Sequence, residues 1–163
     1  MDALSQVPLT LATTSGAFTG TSSFGGNTTY ATTNTINFAI KGVFATAKTA
    51  VTGGTTPTTD GNTAAAITLT ANYGTVVVWG MNSSGTVSVY KGSTEALDVS
   101  GNFINAPQFP AIPDTICPFA YHVIKAGATT SGTWTFGSSN WNATGLTHSA
   151  KDLLTLPQRP VVA

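Results

Sequence analysis

Charge is what this sequence has least of. Asp, Glu, Lys and Arg make up 7% of its 163 residues and cancel to a formal net charge of zero, where about 25% is ordinary for a soluble protein. The six cations, Lys41, Lys48, Lys91, Lys125, Lys151 and Arg159, are scattered singly along the chain, which leaves no basic stripe for a phosphate backbone to follow. Nucleic acid is therefore not an expected partner. A surface poor in charge and rich in Thr, Ser, Asn and Gly adheres by hydrogen bonding and apolar packing, which salt screens little.

Cysteine, histidine and long apolar runs are also scarce. The single cysteine, Cys117, has no intrachain partner and reads as an inert buried thiol, since a catalytic thiol needs a histidine and an orienting group beside it. The two histidines, His122 and His148, lie in separate segments without the spacing of a metal site, so no metal or other cofactor is expected. His122 instead reads as a hydrogen-bonded core or interface residue. No apolar run approaches the roughly 20 residues that cross a bilayer, and the first residues, MDALSQVPLTLATTSG, lack the basic and continuously apolar regions of a secretory signal. The expectation is a soluble chain with no membrane partner. Glu95 and Asp98 are the nearest approach to a carboxylate pair, but no histidine, metal cluster or nucleophile accompanies them. They read as solvated loop acids, and no enzymatic activity is expected.

What the chain does hold is β-pattern. In GTVVVWGMNSSGTVSVYKG, Gly74 to Gly92, two β-rich runs flank Asn82-Ser83-Ser84-Gly85, whose glycine accepts a positive φ. Val76 to Trp79 is apolar at successive positions and predicts a central strand covered on both faces. Val87, Val89 and Lys91 alternate with Thr86, Ser88 and Tyr90 and predict a partner strand with one wet side. Thr35 to Val51 predicts one bent strand or two short ones, Thr52 to Thr63 a surface loop with a tight turn at Asp60-Gly61, and Ala66 to Asn72 a further strand. Pro107, Pro110 and Pro113 recur at the three-residue period of polyproline II and predict a stiff crossover between two sheets, anchored by Phe109 and Ile112. Phe119 to Ala126 alternates cleanly as a strand. Thr133 to Phe136 and Gly145 to Leu156 complete the set. Seven or eight short antiparallel strands and no convincing helix predict an all-β domain, a β-sandwich or jelly-roll-like barrel, over residues 35–163.

Residues 1–34 are Thr-, Ser- and Gly-rich but carry Leu9, Leu11, Phe18, Phe24 and Tyr30. That is too little apolar content for a core and too much for an inert linker. Two readings fit: an extended N-terminal arm that orders on another surface, or edge strands of the same domain. Trp134 and Trp141 also raise a carbohydrate platform, with Asn140 and Asn142 beside the second ring. Aromatics in a charge-poor β domain otherwise serve as core or interface anchors.

The run GNFINAPQFPAIPDTICPFAYHVIKAGATTSGTWTFGSSNWNATGLT, with DLLTLPQRPVVA after it, resembles a group of small β-rich virion structural proteins of tailed bacteriophages. The likeness spans Thr35 to the end. It rests on the Pro-x-x-Pro-x-x-Pro segment, the Phe-Ala-Tyr-His-Val-Ile strand, the Ser-Asn-Trp-Asn-Ala-Thr-Gly turn and the Leu-Pro-x-Arg-Pro tail. The resemblance implies a component of a phage particle, made in the host cytoplasm. The leading expectation is a capsid decoration protein on the outer head, bound to the major capsid protein and to itself as a homotrimer or homodimer. Leu9, Leu11, Phe18, Phe24, Tyr30, Trp79, Phe109 and Trp134 are then the candidates for capsid or self-association. The alternative is a tail- or head-fibre adhesin binding host glycan at Asn140, Trp141 and Asn142.

Overall fold

A computed structural model describes residues 19–20, 29–32 and 35–153. Among them the protein is all-β, as expected, with eleven strands and no helix. Antiparallel strands β11-β9-β7-β8 form the main sheet, built from β7 (Tyr73–Met81), β8 (Val87–Ala96), β9 (Cys117–Ala126) and β11 (Leu146–Asp152). The other strands are short. β1 (Thr19–Gly20), β2 (Thr29–Thr32) and β5 (Val51–Thr55) make a three-stranded sheet, while β3 (Ala39–Ile40) pairs with β4 (Val43–Phe44) and β6 (Thr68–Thr70) with β10 (Thr133–Thr135). No sheet closes on itself, so the arrangement is sandwich-like and the barrel alternative is not observed.

The hairpin of β7 and β8 centres the fold. Asn82 holds its turn: its Oδ1 accepts from the amides of Ser84 and Thr86, its carbonyl accepts from the Gly85 amide, and Gly85 sits at φ +75°. β7 lies between β8 and β9 and is buried on both faces, as its unbroken apolar run requires. Val77, Trp79 and Met81 face a large core shared with Tyr30, Ile36, Phe38, Ile67, Leu69, Trp134, Phe136 and Trp141. Val76 and Val78 face a smaller one with Tyr90, Ile116, Tyr121, Val123 and Leu153. The small sheets thus supply the lid of the first face.

The second face is covered by the proline-rich segment, which corrects one expectation. β8 and β9 both pair antiparallel with β7, so they run parallel to each other and the chain must cross over β7 between them. Pro107 to Pro118 therefore bridges two strands of one sheet instead of linking two sheets. Phe109 and Ile112 do anchor it, Phe109 meeting Tyr121 edge-on at 5.1 Å between ring centres. The Ser93 amide donates to the Gln108 carbonyl, and the Gln108 amide to Ser93 Oγ.

Three further departures have physical causes. β8 is buried on both faces at its centre, Val89 and Tyr90 entering opposite cores, while the rest of the strand is half-buried and Thr94 is exposed. Its outer edge is capped by the loop read as a plain surface turn. Asp60, 6% exposed, bridges to Val89, and its Oδ1 accepts from the Lys91 amide while Oδ2 accepts from the amide and hydroxyl of Thr63. The start of that loop is strand β5, which pairs with β2. Finally, Tyr30 is a core residue: its ring lies 5.5 Å from that of Trp79 and closes over Gly54. A division at residue 34 therefore does not mark the edge of the packed unit, and for residues 29–32 the strand reading is the one observed.

Candidate functional site

The titratable and aromatic side chains converge on the first face of the main sheet. His122, on β9, stands beside Trp79 on β7, and Trp79 Nε1 donates to His122 Nδ1 at 3.0 Å. β11 brings His148 to the same face, two register positions from His122's partner Ala150, and the imidazole centres are 5.9 Å apart. The Trp141 ring lies against both, 5.0 Å from His122 and 4.7 Å from His148. A carbonyl fixes the turn that carries it, since Trp134 Nε1 donates to the oxygen of Asn140 at 3.0 Å. Separate segments thus meet in one cluster, which spacing along the chain did not reveal.

Burial governs the protonation of these groups. Desolvation, with the neighbouring His148 adding to it, pushes His122 down to about 3, and burial lowers His148 as well. Both rings are neutral near neutral pH. An indole N–H only donates, so His122 Nδ1 must present its lone pair and carry its proton on Nε2. Burial likewise pushes the Cys117 thiol up to about 12, far from the thiolate a nucleophile needs. No group of three or more His, Cys, Asp or Glu among the described residues is placed to hold a metal.

The two loop acids do local structural work. Glu95 Oε1 accepts from Ser93 Oγ at 2.7 Å. Asp98 Oδ1 accepts from the amides of Ser100 and Asn102, and those backbone donors, Asn102's above all, hold its carboxyl below the usual range. The same turn lifts Val99 into solvent at 108% relative exposure. Beside it stand Ile104, 62% exposed, whose amide donates to Ala96, and Tyr73, which pairs with Ala96. Three large apolar side chains are therefore exposed at this end of the sheet. Large apolar side chains exposed together mark contact surfaces.

Two more stand on the β3–β4 hairpin. Lys41 and Gly42, at φ 52° and 78°, form the tight turn between β3 and β4, and leave Val43 and Phe44 exposed. An ion pair of 2.8 Å from Lys41 to Asp114 ties the hairpin to the turn before Cys117, which pairs with Met81. None of these five residues was a candidate from the sequence. The signals were present: an apolar residue inside Asp-x-Ser-Gly-Asn must sit at a turn tip, and Lys-Gly between two short β runs leaves the second run at an edge.

The sequence candidates divide otherwise. Leu9, Leu11, Phe18 and Phe24 lie outside the described residues. Tyr30, Trp79 and Trp134 are buried in the large core. Phe109 is half-buried against Tyr121. Asn140 and Asn142 are exposed, but Trp141 is 4% exposed and its faces are occupied by protein rings, so it offers no platform to a sugar. Among the described residues no helix is long and apolar enough to cross a membrane. No protein family, curated protein or solved structure matches this chain.

Proposed function

We propose that this chain is a structural protein of a tailed-bacteriophage particle, a decoration protein that docks on the outer head shell. The supporting observation is the exposure of the large apolar side chains Tyr73, Val99, Ile104, Val43 and Phe44 on turns and strand edges of a framework nearly devoid of charge. Side chains already held by a turn lose little freedom on docking, so their burial converts efficiently into affinity. A protein that binds only the assembled shell stabilises it by its binding free energy, and repeated contacts per particle multiply the effect. The major capsid protein is the partner this reading requires, and self-association would add to the avidity.

The test is to incubate the full chain with purified heads that lack it, then measure cosedimentation and the temperature of shell disruption. Saturable binding in many copies with a raised disruption temperature is expected, and a V99D/I104D variant should bind weakly while remaining folded. Absence from particles would overturn the proposal. A few copies confined to a vertex or the tail would replace decoration with an adhesive role.

A further inference from the structure

The β9–β11 joint holds a feature that the docking proposal does not use. Both histidines of the chain lie in it, one on each strand, with Trp141 against the two rings. β11 is the last strand of the main sheet, and β9 is its one partner among the described strands. Opening it costs the β9–β11 ladder and the Trp141 contacts, while the ladders of β7 with β8 and β9 stay intact. Edge elements open locally at lower cost than the whole fold.

We propose that this joint is an acid-sensitive latch, in which protonation of the His122/His148 pair frees β11 and the Trp141 turn while β7, β8 and β9 remain paired. Two conditions make the closed joint intolerant of protons. A proton on His122 Nδ1 would face the indole N–H that now donates to it, and charge on both imidazoles would set two cations 5.9 Å apart in a largely desolvated site. Opening separates the two imidazoles and hydrates them, and the exposed His122 ring can then exchange the indole N–H for water.

Among the described residues, aromatic rings stand against the pair. β7 presents Trp79, the turn before β11 presents Trp141, and beyond Trp79 lies Tyr30, whose hydroxyl burial pushes upward and away from acid titration. By strand parity Lys125 and Lys151 belong to the opposite face, Lys125 lying over Phe103. Asp152 holds a same-parity register position at the far end of β11, opposite Ala120.

Amide hydrogen exchange on the full chain, corrected for intrinsic rates, tests this between about pH 7.5 and about pH 4.5. A histidine that titrates normally only when open multiplies the opening constant by about a hundredfold two pH units below its ordinary value. Protection of Thr147 to Lys151 should fall by that factor or more, since the contributions of the two histidines multiply, while Val76 to Trp79 stays protected. In H148Q the loss should shrink about tenfold or more, and H122Q should behave alike if it folds. The proposal is overturned by any of three results: β11 and β7 losing protection together, β11 losing none, or H148Q losing as much as the parent.

Discussion

At the scale of single residues, three side chains carry out tasks their types alone do not announce. His122 contributes stability only while neutral. Its pKa lies near 3 when folded against 6.5 when exposed, so the unfolded chain binds more protons between those values. Its share of stability is thus complete above about pH 6.5 and lost as pH falls toward 3. Urea unfolding across that range should show a steep acid slope that His122→Gln, which keeps an acceptor for Trp79, makes shallower. Cys117 has the opposite sign. With its thiol raised to about 12, its share is complete below the ordinary thiol value and disappears at higher pH, and modification by a thiol reagent at about pH 8 should follow the rate of protein opening. Asp60 satisfies the Lys91 amide and both polar groups of Thr63 from a nearly buried position. Asp60→Ala leaves those donors unpaired and should cost about 2–4 kcal/mol in chemical denaturation.

Elements show why part of the fold was legible in the sequence and part was not. β7, β9 and the Asn82–Gly85 turn follow from local chemistry: an unbroken apolar run, a strict alternation, and a glycine where φ must be positive. The edge of β8 does not. Its alternation is that of a half-exposed strand, and only the distant Asp60 loop, bonded to its backbone, covers it. The destination of the proline segment was equally hidden, because its period fixes stiffness and says nothing of which strands it joins. The candidate site failed to emerge for a related reason: aromatic residues were legible as anchors, but whether an anchor turns inward or outward depends on partners far along the chain. Trp79, Trp134 and Trp141 all turned inward, and small turns carried the exposed apolar residues instead. Gly92 shows how tightly the crossover seats on the sheet, since a Cβ there would collide with the Gln108 carbonyl and the Val76 side chain. Gly92→Ala should therefore push the segment off the second core and destabilise the protein by about 1–3 kcal/mol, read as a lower denaturation midpoint with the first core's tryptophan emission unchanged in the folded state.

At the scale of the whole molecule, the consequence of having so few charges is a distinctive response to salt. An interface held by ion pairs weakens as the Debye length shrinks from about 10 Å at 0.1 M to about 3 Å at 1 M. Burial of apolar surface does not weaken, and excluded salts such as sulfate strengthen it. Here large apolar side chains are exposed, and the one ion pair among the described residues, Lys41 with Asp114, is intramolecular and solvent-exposed. Such a pair is worth about 1 kcal/mol at most. If the apolar side chains dock on the shell, occupancy of purified heads by the full chain should change by less than about threefold between 0.1 and 1 M sodium chloride, and rise in sodium sulfate. A drop of tenfold or more over the same range would assign the attachment to charges elsewhere in the chain. V43D/F44S tests the pair that V99D/I104D leaves intact, and because both pairs are exposed, each variant should unfold within about 0.5 kcal/mol of the parent. Equal loss of occupancy in the two would place both pairs against the shell, while loss in one alone would leave the other facing outward or toward a second copy.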